Sequence, residues 1–396
     1  MSKTRIHVGD SHNFGRRVSL SAGRVEKPRT LLWEWLVLAR ESPLRCLLDE
    51  AAARDGLGAD AFGFLPTLEF FELHARRGGQ VERAQLQPLP TLDVEGKLAL
   101  ARIVGRSLGL WSWLGVADLH WENLILGVDQ RGRTVFGPLD VEMILADLAR
   151  PTETKLLPDA DPEYAEICRH AAGVRRVLPH LGKPIGAADL VEVACAYLST
   201  LTFLERHAGE IAAVFEALPD LHEAPIRVCL RGTAEYVQAD PRSLWPPLLE
   251  GEVEQLDRGD IPYFFRLYGR PGIHYFGDET LQELNRLPLT GDVPQLDPLL
   301  RLSRGLRSPS RRRLRAEGLF TLLGAFDHPA LTGKHANEEL ELAFRGRTLV
   351  VRLKGGEELE SRRNLSAFVG SVYLPCQCGE VRTVFVPEVT VCEARG

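Results

Sequence analysis

The chain has 396 residues, 44% hydrophobic and 26% charged, which is enough apolar material for a substantial core and excludes intrinsic disorder. Forty-eight basic against fifty-four acidic residues leave a formal net charge of -6, so nothing in the overall charge points to nucleic acid as a partner. No stretch is apolar for long enough to span a bilayer, the opening MSKTRIHVGDSHNFGRR leads into no signal-peptide core, and seven Cys at irregular spacing argue against a disulfide framework. The expected location is the cytoplasm, with no membrane span.

Arg17–Leu20 reads as a short strand, Ser21-Ala22-Gly23 as a hairpin turn and Arg24–Lys27 as the return, so Lys27 projects from a strand that Pro28 ends. Apolar residues recur at helical spacing from Leu31 to Leu48, with Pro43 dividing the run, and again from 92 to 114. Residues 115–123 have the mixed character of a structured loop. Leu124–Leu126, the turn at Asp129–Gly132 and Thr134–Phe136 then form a hairpin whose return strand runs toward Asp140. Residues 160–219 are expected to be mostly helical, Ile226–Leu230 a strand entering a loop, and Leu349–Leu353 and Arg382–Val386 strands. There is no internal repeat. Cys376, Cys378 and Cys392 read more readily as loose thiols than as a metal site, and Ser310–Arg315 as a solvated helix face rather than a phosphate contact.

The segment richest in chemistry is Asp118-x-His120-x-x-Asn123 followed by Asp140. Phosphoryl transfer needs a carboxylate beside the attacking hydroxyl, oxygen ligands for a divalent ion and a lysine at the nucleotide phosphates. Asp118 suits the first role and Asn123 and Asp140 the second, with Mg2+ as the ion, while Lys27 suits the third. Glu142 is a further candidate carboxylate at the metal, provided the strand persists and keeps it on the face of Asp140. His120 either stabilises the transferring phosphoryl group or holds the loop by hydrogen bonds. No Gly-x-Gly-x-x-Gly phosphate loop is present, which speaks against an ordinary protein kinase.

The loop resembles the Asp-x-His-x-x-Asn catalytic loop of phosphoinositide-type lipid kinases. Gly9-Asp10-Ser11-His12, Lys27-Pro28-Arg29, Asp118–Asn123, Pro138–Glu142 and Gly259–Phe264 together resemble the dehydratase domain of class II lanthipeptide synthetases, over roughly residues 6–270. The resemblance implies an α+β fold with a lipid-kinase-like two-lobed core and insertions. It also implies ATP and Mg2+ as cofactors and, as substrate, a ribosomally made precursor peptide with a Ser/Thr-containing core. The corresponding partition is a strand-containing lobe over 1–90, a catalytic lobe over 91–270 and an α/β extension over 271–396. In such enzymes a hydroxyl is phosphorylated and the phosphate then eliminated to leave dehydroalanine or dehydrobutyrine. The residues matching those associated with elimination are Asp10, His12, Arg227, Thr233 and Lys27, with Arg231 completing an Arg-x-x-x-Arg-x-Thr pattern. His12, oriented by Asp10, would move a proton, and Arg227 would grip phosphate through two bonds. The chain begins almost directly at the Gly-Asp-x-His phrase and lacks the cyclase's Cys and Cys-His-Gly motifs. Ring closure is therefore not expected of it, and a separate leader-binding protein or cyclase becomes a possible partner. Alternatives are a peptide or small-molecule kinase without elimination and a regulatory pseudokinase.

Overall fold

The computed structural model describes residues 6–58, 60–148, 150–158, 172–182, 185, 187–238, 247–288, 314, 318–326 and the strand segments between 341 and 391. The fold is mixed α+β. Strands β1 (Ile6–His12), β2 (Arg16–Ser21), β3 (Arg24–Lys27), β4 (Phe70–Glu72) and β5 (Gly79–Glu82) form one antiparallel sheet in the order β1-β2-β3-β5-β4. The β2–β3 hairpin follows the expectation, with Ser19 opposite Glu26 and Ser21 opposite Arg24. Strand β1 lies outside it: the alternation of Ile6 and Val8 with polar residues is too short to read without its partner.

Pro43 separates α1 (Leu32–Leu38) from α2 (Pro43–Arg54), because it starts a new helix where Ser42 accepts a cap bond from Arg45 N. Helix α3 (Val94–Leu114) starts at the Asp93 cap and ends at Gly115, whose φ of 67° is the left-handed conformation that terminates helices. Short helix α4 (Leu178–Leu181) precedes α5 (Ala187–Arg206), which lies against α3. The approach is close because of glycine: a Cβ on Gly105 would stand 2.2 Å from Val193 O, so Ala at this position would push the two helices apart. Trp33, Trp111, Trp113, Phe136, Tyr197 and Phe203 are fully buried in the core around this pair.

The chain continues from α3 through the loop to the hairpin β6 (Leu124–Val128) and β7 (Thr134–Pro138), with Leu124 opposite Pro138. Helices α6 (Ala208–Glu216) and α7 (Pro219–Glu223) lead to β8 (Ile226–Val228). After α8 (Thr233–Tyr236) and α9 (Glu250–Asp257), strands β9 (Phe264–Leu267), β10 (Arg270–Phe276) and β11 (Leu284–Arg286) complete a sheet in the order β11-β10-β9-β8. Further on lie α10 (Gly318–Phe326) and antiparallel strand pairs that include Thr348–Arg352 and Val381–Pro387, where strands are expected. Cys168, Cys376, Cys378, Cys392, residues 159–171 and most of the Ser310–Arg315 run lie outside the described residues. No helix among the described residues is long and apolar enough to cross a membrane.

Candidate active site

Lys27 ends β3 with its ammonium buried. It donates to Glu34 Oε1 at 2.9 Å and to Leu139 O at 2.7 Å, and stands 3.9 Å from Asp140 Oδ2. Glu34 is wholly buried on α1, where it also accepts from Arg29 Nη2 at 2.7 Å. Arg29 bonds Asp140 Oδ1 as well, and its Nε lies 2.8 Å from Glu142 Oε2. Glu142 Oε1 in turn pairs with Arg227 on β8, whose backbone N–H donates to Glu142 O at 2.9 Å. Three cations and three carboxylates thus form one knot, drawn from β3, α1, the segment after β7, and β8. Trp33 helps to close it by donating from its indole to Pro225 O at 3.1 Å, which ties α1 to the start of β8.

Burial alone would raise the carboxyl of Asp140, but Arg29 and Lys27 outweigh it and hold Asp140 well below the usual carboxylate range. Glu34, deeper still, is pushed up by burial despite the same two cations. β7 ends at Pro138, so strand alternation does not align Asp140 with Glu142; Arg29 does, by bonding one and pairing with the other.

Gly115 leads into the loop that carries Asp118, and the backbone bonds Ala117 N to Met143 O and Leu119 N to Thr154 O fix it on both sides. Asp118 has a φ of 62°, an unusual conformation for a residue with a side chain. Asn123 Nδ2 donates to Asp118 O at 2.9 Å and to its Oδ2 at 3.3 Å, and Lys155 Nζ reaches Oδ1 at 3.2 Å. His120 Nε2 is 3.9 Å from Asp118 Oδ2, too far for a direct hydrogen bond. The loop meets the knot through the backbone of one residue: Leu139 N–H donates to Asn123 O at 2.9 Å, while Leu139 O accepts from Lys27.

His12 closes β1. Its Nδ1 lies 2.8 Å from Ile261 O, and since a carbonyl can only accept, Nδ1 carries the proton; in the neutral ring Nε2 then keeps its lone pair. Burial, followed by the charge of Arg227, lowers the His12 pKa and favours this neutral form. The turn beyond His12 is clasped by Asp260, which accepts from Ser11 Oγ, Phe14 N and Gly15 N at 2.8, 2.6 and 2.9 Å. Asp10 is exposed and contributes only the weakest of the favourable charges at His12; orientation comes from Ile261. Arg231 is buried against Glu252 at 2.8 Å and bonds Pro247 O, which makes it a strut to α9. Thr233 begins α8 and makes no side-chain hydrogen bond among the described residues.

The fold thus brings Lys27, Asn123, Asp118, Asp140, Glu142, Arg227 and His12 into one neighbourhood, and leaves Asp10 and Thr233 without a bond to it. Sequence reasoning misses Arg29, Glu34, Lys155 and Asp260 as site residues. Only Glu34 leaves a clear trace, as a lone charge inside the apolar run Leu31–Leu38.

Magnesium asks for hard oxygen donors, which Asp140, Glu142 and the free amide oxygen of Asn123 supply in kind. A cation, the Arg29 guanidinium, already stands between the two carboxylates, and among the described residues Glu142 Oε2 has no hydrogen-bond partner, because Arg29 Nε approaches without hydrogen-bond alignment. The donor types suit a divalent ion, but among the described residues no group of three or more His, Cys, Asp and Glu is arranged to hold one. The chain matches no model of a known protein family, and no curated protein is similar to it.

Proposed function

We propose that the chain dehydrates Ser and Thr of a ribosomally made precursor peptide, by ATP-dependent phosphorylation of the hydroxyl and then elimination of phosphate. The observation that carries this reading is the Leu139 backbone, whose N–H and carbonyl join the Asp118–Asn123 loop to Lys27, next to a knot that also holds Arg227 and, through the charge of Arg227, reaches His12. Residues suited to transfer and residues suited to elimination lie within one connected network.

In the first step the Ser/Thr oxygen attacks the γ-phosphorus of ATP, Asp118 takes the hydroxyl proton, and ADP leaves. Lys155 and Asn123 keep the Asp118 carboxylate aimed. Asn123, Asp140 and Glu142 would hold Mg2+, which when bound supplies charge neutralisation at the phosphates. Lys27 neutralises the same phosphates from β3. In the second step His12 Nε2 removes the peptide α-proton, its electron pair forms the Cα=Cβ bond, and the Cβ–O bond breaks with phosphate as leaving group. Arg227 receives the departing phosphate, since a guanidinium offers two parallel bonds to it. The neutral His12 tautomer set by Ile261 is the one this step requires.

The test is a time course by intact-peptide mass spectrometry with a Ser/Thr-rich precursor, ATP and Mg2+. Wild type is expected to lose one water per modified residue while releasing both ADP and phosphate. In Arg227→Ala the phosphorylated peptide should accumulate, because transfer relies on Asp118, Asn123, Asp140 and Lys27. Persistent phosphopeptide with the wild-type protein would show a kinase without elimination, and absence of ATP turnover with a folded protein would refute the reading altogether.

A further inference from the structure

The proposed chemistry uses Lys27 on the inner side of the N-terminal sheet and His12 at the end of its edge strand, and leaves residues 6–10 of that strand and the outer face without a role. Strand β1 is an edge: among the described residues it pairs only with β2, and Ile6 through Asp10 are all exposed. Two of these are apolar, Ile6 at 58% and Val8 at 36% exposure. Edge strands are ordinarily blunted by Lys, Pro or a covering segment, and β1 contains neither residue. Its register irregularity falls after Val8 and leaves the apolar half regular.

Side-chain alternation separates the two faces. His7 lies opposite Ser19 and Ser19 opposite Glu26, so these three share a face with Arg17, while Val8, Val18, Val25 and Lys27 belong to the other. A cavity of about 670 Å³ opens beside this sheet, lined in part by His7, Arg16, Arg17, Glu26, Glu72 and Arg77. Its volume is that of a site for an extended ligand and is far larger than one phosphate needs. Arg17 and Arg77 are exposed and form no ion pair among the described residues. Lys27, proposed to meet the nucleotide phosphates, also lines it, so the cavity adjoins the proposed site, whereas none of Glu34, Asp140, Glu142 and Arg227 does.

We infer that β1 and this cavity dock the peptide substrate. An extended segment adds along β1 as a sixth strand, and the acidic residues adjoining it enter the cavity between His7 and Arg77. Backbone bonds along β1 supply affinity that does not depend on sequence, while Arg17 and Arg77 select for carboxylates. Since β1 ends at His12, a strand paired with it is led toward the proposed elimination site. The inference rests on the proposed function for the identity of the peptide as substrate, but its binding test needs neither ATP nor magnesium.

The probe is a fluorescein-labelled peptide of alternating Thr and Glu, titrated with the full chain at low salt and read by anisotropy. Saturable binding is expected, weaker by roughly tenfold or more in Arg17→Glu/Arg77→Glu, with a Thr/Lys peptide failing to bind. Hydrogen exchange on the wild-type chain should show residues 6–10 becoming protected when the Thr/Glu peptide is bound, a measurement that does not depend on a variant folding. No saturable binding, equal affinity in the double variant, or unchanged exchange along β1 at saturating peptide would each overturn the inference. The two readings fail separately. A peptide that binds in this way and is never phosphorylated refutes the proposed function alone, and dehydration with an unchanged KM in the double variant refutes the docking alone.

Discussion

The knot around Arg29 is closed by side chains from three separate chain segments, with Glu34 wholly buried and Lys27 and Arg29 only 10% exposed, whereas Asp118 is held mainly by its own loop and by Lys155. The first arrangement sets charges in a low-dielectric interior, where each depends on the others for compensation. The second holds a carboxylate that is 29% exposed, as Asp140 also is, but pairs it with no buried cation, so that it can meet a substrate without the fold depending on it. The difference predicts that the knot couples stability to activity and that the loop separates them.

The largest effect is expected from Glu34→Ala, which removes the more deeply buried of the two carboxylates that Lys27 and Arg29 share and leaves them only Asp140 in common. Removing one partner of a buried ionic group costs about 3–5 kcal/mol, so urea unfolding should show a clear loss of stability together with loss of ATP-dependent modification. A stable, active Glu34→Ala protein would break the comparison. Asp118→Ala should leave the urea midpoint near wild type while slowing phosphoryl transfer by roughly 10²–10⁴. Comparable destabilisation in Asp118→Ala would mean that the loop, too, is structural. Asp140→Asn falls between the two, lowering both stability and transfer, because it weakens the Arg29 pairing and removes a proposed metal ligand.

His12 sharpens the comparison through pH. Burial first and Arg227 second lower its pKa, so as a base it stays neutral to more acidic pH than an ordinary imidazole. Phosphate loss from a pre-phosphorylated peptide should therefore fall only at pH below the usual His range. In Arg227→Ala, besides running slower, the acid limb of the profile should move upward; an unmoved limb would show that Arg227 does not act on His12. The smallest effect belongs to a pair outside the site. Arg54 and Glu210 are 57% and 46% exposed, and Arg54→Ala should leave the urea midpoint close to wild type with no change in activity.

Local pattern makes much of this molecule legible. The β2–β3 hairpin, the break at Pro43, helix α3 with its glycine stop, and the loop–hairpin–Asp140 order are set by turn chemistry and periodicity within a few residues of one another. For the same reason Lys27, Asp118, Asn123 and Asp140 stand out as a group. Strand β1 does not, because an edge strand of mixed character declares itself only beside its partner.

What the sequence by itself determined is the set of chemical groups and the order in which they arrive: a lysine ending a strand, a carboxylate and an amide on one loop, a second acidic segment after a hairpin, and an arginine on a later strand. Only the tertiary structure decided how they are used. It placed Arg29 between Asp140 and Glu142 across more than a hundred residues, buried Glu34 beneath both cations, and oriented His12 through Ile261 instead of Asp10. Charge compensation in a buried site depends on distance and burial, and neither is encoded in the spacing of residues along the chain.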